Sequence, residues 1–247
     1  MKLDIVIPVY NEGDGIIPVL KSLKEHVKTP YRVLICYDND DDTTLAALKS
    51  PEAQGVTVIP LKNNGIGAHG AVTTGFSTSD ADAVIVMPAD DDYNANILDE
   101  MVERCRNGAE IVCASRFIKG GCMEGCRWLK AFLVRNAAFT LRHFGRMPTH
   151  DATNGFRLFS RKLLDSVEIQ STEGFCYSIE LLVKCHRLGW RVDEVPARWF
   201  ERKAGESRFR IFKWAPLYLR WYFYGFATTY LFKKAASVKM RAAANGT

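Results

Sequence analysis

Ala83-Val84-Ile85-Val86-Met87-Pro88-Ala89-Asp90-Asp91-Asp92-Tyr93-Asn94 is the stretch that decides the fold. The apolar run 83–87 reads as one buried strand, and three carboxylates follow where that strand should emerge. Extended residues two apart point the same way, so Asp90 and Asp92 can converge on one hard cation while Asp91 faces elsewhere. A solvated acidic turn is the alternative, because Asp is common in turns and before helix starts.

The same unit of strand, turn and helix recurs on either side. Leu3 to Val9 is an apolar strand, and Ile16, Leu20, Leu23 and Val27 follow at helical spacing until Thr29-Pro30. Tyr31 to Tyr37 leads into a second acidic turn from Asp38 and a short helix ending before Pro51. Val56 to Pro60 leads into Gly65-Ile66-Gly67-Ala68-His69-Gly70 and a helix of small residues, and Ile97 to Cys105 is the helix after the acid triad. Strands alternating with helices imply a mostly parallel sheet with helices on both faces, an α/β fold that binds ligands at the carboxyl ends of its strands. Both acidic turns fall there. Further on, Glu110 to Ala114, Phe156 to Ser160 and Trp190 to Arg198 read as strands, and Trp128 to Phe144 and Tyr177 to Leu188 as helices.

Of 247 residues, 47% are hydrophobic and 25% charged, the balance of an ordinary globular protein. The net charge of +5 is local in origin, since ten Lys and Arg face the single acid Glu206 from Arg202 onward. Met1-Lys2-Leu3-Asp4 runs straight into a strand without the apolar core of a leader, so a cytoplasmic protein is expected. Cys122 and Cys126 are spaced like half a zinc site without a second pair, and no zinc centre is expected.

Gly65, Gly67 and Gly70 spell the dinucleotide fingerprint, with Asp90 twenty residues beyond at the next strand end. On spacing alone that describes a nicotinamide-dependent oxidoreductase. The fingerprint normally opens the first βαβ unit, whereas two units precede it here. Tight packing of a loop on a helix is the other reading of the glycines.

Ile5-Val6-Ile7-Pro8-Val9-Tyr10-Asn11-Glu12, followed by the acidic turn from Asp38, resembles the opening of glycosyltransferase family 2. Asn63-Asn64-Gly65-Ile66-Gly67-Ala68, Ser115-Arg116-Phe117 and Asn154-Gly155-Phe156-Arg157 are similar to later steps of that family. Phe175 to Glu180, Val195-Pro196 and Glu201-Arg202-Lys203-Ala204-Gly205-Glu206-Ser207-Arg208 resemble its polyprenyl-phosphate branch, the group of dolichol-phosphate mannose synthase. The resemblance spans about residues 3 to 210, in order. It implies a GT-A nucleotide-sugar-binding domain over 1–210 and an inverting hexose transfer from a GDP- or UDP-sugar to a polyprenyl phosphate. It implies donor contacts at Pro8, Tyr10, Glu12, Asp38 and Gly67, and Mg²⁺ or Mn²⁺ as cofactor. Pro88 stands where the first Asp of the family's metal motif is expected, which shifts the metal pair to Asp90 and Asp92.

The chemistry is consistent with that reading. Breaking a sugar-diphosphate bond puts negative charge on the leaving phosphate, which a divalent cation stabilises as a Lewis acid. A lipid phosphate is already ionised and needs cations rather than a base; Arg116, Lys130, Arg202 and Arg208 are the candidates, with Arg202 and Asp90 carrying the catalytic bet. A hydroxyl acceptor would need a base, for which Glu173, and less well the mid-helix Glu180, are the candidates. A binding protein without turnover is a further alternative. Asp151 and Thr153 read as an Asx-type turn, and His69 as a packing residue with phosphate contact as its alternative.

Residues 211–247 form an aromatic and basic segment. Trp214 to Phe232 holds nineteen residues with Arg220 as the only charge, which would cost roughly 2.5 to 3.5 kcal/mol at the centre of a membrane span. A helix lying in the membrane interface is therefore expected, making the enzyme peripheral, with a span or a homo-oligomer contact as alternatives. Nucleic acid is not expected as a partner, since no nucleic-acid module is visible.

Overall fold

The computed structural model describes residues 1–65, 67–201, 211–231 and 234–242, with only the backbone described over 211–215. In chain order the elements are β1 (Leu3–Pro8), α1 (Ile16–His26), β2 (Tyr31–Tyr37), α2 (Thr43–Ala47), β3 (Val58–Lys62), α3 (Gly67–Thr78), β4 (Ala83–Val86) and α4 (Leu98–Arg106). They continue with β5 (Ile111–Ser115), β6 (Cys122–Glu124), α5 (Trp128–His143), β7 (Arg157–Ser160), α6 (Arg161–Ser166), α7 (Cys176–Arg187), β8 (Val192–Pro196), β9 (Arg198–Phe200) and α8 (Ile211–Tyr230).

Seven strands form one sheet in the order β3-β2-β1-β4-β7-β5-β8, and β6 pairs with β9 apart from it. All neighbours in the large sheet run parallel except β7, which is antiparallel to both β4 and β5. Alternation within β1 and β4 explains why both runs are largely apolar. Ile5, Ile7, Ile85 and Met87 point into one core with α1 and α4, while Val6, Val84 and Val86 point into the other with α3 and α7.

Strand order also places the ligand crevice. The chain moves outward from β1 to β2 and β3, then returns to lay β4 on the other side of β1, so the topological switch point lies between β1 and β4. Pro8 ends β1, Asp38 follows β2, Asp90 follows β4 and Arg116 follows β5, all at the same edge of the sheet.

The expected strand from Trp190 to Arg198 is divided at Ala197. There the N–H donates to the Ser115 carbonyl while the carbonyl accepts from Cys122 N–H, and the chain crosses from the large sheet to β6. The expected third strand starts two residues later than read, at Val58.

α8 is docked rather than separate. Trp221 is buried, and Arg187 of α7 donates to Tyr224 O and Thr228 Oγ1 of α8. Among the described residues no helix is long and apolar enough to cross a membrane.

Candidate active site

Two loops are fastened at the switch point before any ligand enters. Asp42 caps α2 through Thr44 N–H and also accepts from Asn11 N–H at 2.9 Å, while Glu12 N–H donates to Thr44 Oγ1. These bonds hold the β1–α1 loop against the second acidic turn, and carry Pro8 and Glu12 to the wall of a cleft of about 480 Å³. Tyr10, in the same loop, is exposed.

Asp38 is turned toward the glycine-rich loop. Its carboxylate accepts from Gly67 N–H with both oxygens, at 3.2 and 3.0 Å, and from Asn63 Nδ2 at 2.6 Å. The start of α3, where a dinucleotide fingerprint would seat pyrophosphate, is thus already served by a carboxylate. Gly67 has φ +68°, in the left-handed region, and a Cβ at Gly70 would lie 2.5 Å from the Gly65 backbone. The glycines serve a tight loop-to-helix contact, and the oxidoreductase reading is set aside. His69, in the first turn of α3, packs half-buried near the Tyr177 ring, with its pKa lowered by burial.

The acid triad separates into three fates. Asp90 lines the cleft. Asp91 is buried and accepts from Asn94 N–H at 3.0 Å and Asn94 Nδ2 at 2.8 Å; burial nevertheless pushes its carboxyl up to about 7. Asp92 is exposed and lines a separate depression with His26 and Arg198. The expected pair is therefore not brought to one wall, and among the described residues no cluster of three or more His, Cys, Asp or Glu side chains is assembled. The donor chemistry still suits Mg²⁺ or Mn²⁺, which bind through one or two carboxylates plus substrate phosphates rather than in an all-protein cage.

Among the described residues Lys130 is the cation lining the cleft, with Nζ 4.7 Å from the Trp199 ring centroid and 3.6 Å from Glu201 Oε1. Arg116 lies behind that wall. Its guanidinium forks onto Asp151 at 2.7 and 2.9 Å and donates to Thr153 Oγ1 at 2.8 Å, and Thr153 is the residue that faces the cleft. Burial would raise the Asp151 carboxyl, but the Arg116 charge and the hydrogen bonds from Arg116 and Thr153 outweigh it and hold it below the usual range. Arg202 and Arg208 lie outside the described residues.

Neither candidate base lines the cleft. Glu173 is exposed ahead of α7, and Glu180 is fully buried, ion-paired with Lys184 and accepting from Gln170 and Ser171 N–H.

Four features in and around the cleft escape sequence reasoning: the tie made by Asn94, the pairing of Arg116 with Asp151, the burial of Arg157, and the apolar flank. Arg157 is buried and donates to the carbonyls of Asp151, Ala152 and Ser178, tying the 151–155 loop to α7. Leu133, Val134 and Ala137 of α5, Phe175 just before α7, and Tyr218 of α8 make the cleft's flank apolar. Sequence does not show which elements would meet to form it.

The sequence profile described as Glycosyl transferase family 2 matches residues 4–167. The chain belongs to glycosyltransferase family 2. This family 2 glycosyltransferase is 27% identical over 214 residues to the polyprenol monophosphomannose synthase of Mycolicibacterium smegmatis, covering 83% of this chain and 79% of that one. It is 24% identical to the dolichol-phosphate mannosyltransferase of Pyrococcus furiosus, covering 85% of this chain and 60% of the longer archaeal protein. With the dolichyl-phosphate hexose transferase of Haloferax volcanii it shares 30% identity, over 83% of this chain and 86% of that one. Its fold matches glucosyl-3-phosphoglycerate synthase from Mycobacterium tuberculosis in complex with UDP, with a TM-score of 0.65, 18% identity, and 92% and 80% of the two chains covered. Another structure of that enzyme, holding Mn²⁺, UDP and phosphoglyceric acid, matches with a TM-score of 0.64 and 17% identity over 92% of this chain and 78% of that one.

Proposed function

We propose that this enzyme transfers a hexose, with inversion, from a nucleotide sugar to a polyprenyl phosphate at a membrane surface. The observation that carries the acceptor is the two-sided cleft: carboxylates of Glu12 and Asp90 at the switch point, an apolar flank from α5 and α8, and Lys130 as its cation. The names of the M. smegmatis, P. furiosus and H. volcanii relatives support the same acceptor class.

In this reading the Pro8–Glu12 loop and the Asp38 turn hold the nucleotide, and Asp90, together with the donor's phosphates, would hold Mg²⁺ or Mn²⁺. The cation would supply Lewis-acid stabilisation to the leaving diphosphate. An acceptor phosphate oxygen bonds to the anomeric carbon as the bond to the diphosphate oxygen breaks, and its charge makes a protein base unnecessary. Lys130, with the proposed Arg202 and Arg208, holds that phosphate, while Arg116 acts from behind Thr153. The test is transfer of labelled hexose from a panel of nucleotide sugars to a short-chain polyprenyl phosphate. Lys130→Met is expected to raise the acceptor KM about tenfold with donor KM nearly unchanged, since a charge-assisted hydrogen bond contributes about 1.5 to 3 kcal/mol. Label passing to a hydroxyl acceptor, with lipid phosphate inert, would overturn the acceptor assignment.

The membrane contact extends beyond the C-terminal segment. α5 leaves Trp128, Leu129, Phe132, Leu133 and Phe139 exposed, with basic residues Arg127, Lys130 and Arg135 among them, and α8 adds Leu219 and Phe223. An apolar helix face bordered by cations suits an anionic lipid headgroup layer. Replacing both Trp128 and Phe132 by Ser is expected to weaken sedimentation with anionic vesicles at least tenfold, because each large side chain contributes about 1.5 to 3 kcal/mol when buried. Unchanged vesicle binding, together with a dimer that dissociates in the variant, would assign this face to a second copy of the chain.

A further inference from the structure

We propose that Asn94 is the positioning residue that sets Asp90 and Lys130 at their working separation across the cleft; this rests on the donor and acceptor assignment above. Asn94 is buried, with 2% of its surface exposed, and every strong hydrogen-bonding group of its side chain is engaged. Its Nδ2 donates to Asp91 Oδ2 at 2.8 Å and to the Arg198 carbonyl at 2.8 Å, and its Oδ1 accepts from Arg198 N–H at 3.0 Å. The amide orientation is set by its neighbours, since Arg198 presents one donor and one acceptor. A side chain thereby takes the place of a strand partner for a residue 104 positions away.

The residue it grips opens β9, and β9 lies outside the seven-stranded sheet. The next residue, Trp199, supplies the ring face beneath Lys130, and Glu201, just past the strand, supplies its carboxylate partner. Tyr93 adds a second stitch: its hydroxyl accepts from Phe200 N–H at 3.4 Å and its ring meets Phe200 edge-on at 5.0 Å. β9 is thus joined to the acid turn by two consecutive residues, and to Lys130 by the residues that follow Arg198. The path from Asp90 through Asn94 and β9 to Lys130 runs through side-chain contacts outside the hydrogen-bond ladder of the large sheet. A displacement of about 1 Å between reacting groups can cost about 100-fold in rate, so a tether of this kind matters to transfer.

The test is a double-mutant cycle in kcat/KM for the acceptor. Asn94→Ala is expected to lower that ratio about tenfold, and less than about twofold once Lys130 has been replaced by Met. Tyr93→Phe, which removes only the hydroxyl, is expected to move in the same direction by about twofold, and serves if Asn94→Ala does not fold. Equal losses in both Lys130 backgrounds, or a lowered Tm with unchanged kcat/KM, would overturn the positioning role. The cycle uses the acceptor that the wild type accepts. A wild type inert with lipid phosphate overturns the acceptor assignment, and the same cycle on a hydroxyl acceptor then decides on Asn94; an active wild type with additive losses overturns Asn94 alone.

Discussion

Asp90→Ala is expected to lower the rate of sugar transfer at least about 10³-fold, roughly 4 kcal/mol of lost transition-state stabilisation. The reason lies in how the three acids are disposed. Asp91 is consumed by Asn94, and Asp92 borders a different depression, so neither stands where Asp90 stands. Glu12 shares the cleft wall but comes from the opposite side of the switch point. Asp92→Ala is accordingly expected to cost at least about tenfold less than Asp90→Ala, a contrast that sequence spacing alone does not predict. Initial rates at saturating donor, with Mn²⁺ binding measured by electron paramagnetic resonance in the presence of nucleoside diphosphate, separate lost metal from lost chemistry. Full activity in excess chelator, or Mn²⁺ binding untouched by Asp90→Ala, would sink the metal assignment.

Arg116→Met is expected to destabilise the fold by about 3 to 5 kcal/mol, the usual result of stripping one partner from a buried ion pair. Asp151 is fully buried and Arg116 nearly so, with side-chain exposures of 0% and 9%. The double variant Arg116→Met with Asp151→Asn is expected to recover at least half of the loss, because the orphaned charge is removed as well. The pH dependence has a definite sign. In the wild type the folded Asp151 carboxyl lies below its ordinary 3.8, so its contribution is present above that value and is lost only as pH falls through the lower folded value. Without the Arg116 guanidinium, burial is opposed only by the hydrogen bonds from the residue 116 N–H, Thr153 and Asn154, so the folded pKa rises from its wild-type position and the single variant loses less stability than the wild type as pH falls. The gap between wild type and Arg116→Met should therefore narrow as pH falls from neutrality into the carboxylate range in urea titrations. A gap that widens on acidification would mean that Asp151 is not the charge being orphaned.

The units built on β1, β2 and β4 were legible because those strands are buried on both faces and read as largely apolar runs. Leu3–Pro8, Tyr31–Tyr37 and Ala83–Val86 fall where that signal placed them. β6 and α6 were not legible. Cys122–Glu124 is three residues long and paired only with β9, and α6 depends on a cap in which Ser160 Oγ accepts from Leu163 N–H. Such elements are made by contacts, not by periodicity.

The same division runs through the site. Sequence by itself determined that carboxylates gather at the carboxyl ends of parallel strands, because strand length, turn chemistry and side-chain alternation are local properties of the chain. It could not tell Asp90 from Asp92, nor an exposed Arg116 from one folded onto Asp151, since Asp92 meets His26 and Arg198 in its depression and Asp151 lies 35 positions from Arg116. Only the tertiary structure decided them, because burial and charge pairing act through distance in space. That is why the acid triad, uniform in sequence, resolves into a cleft carboxylate, a structural carboxylate and one that faces elsewhere.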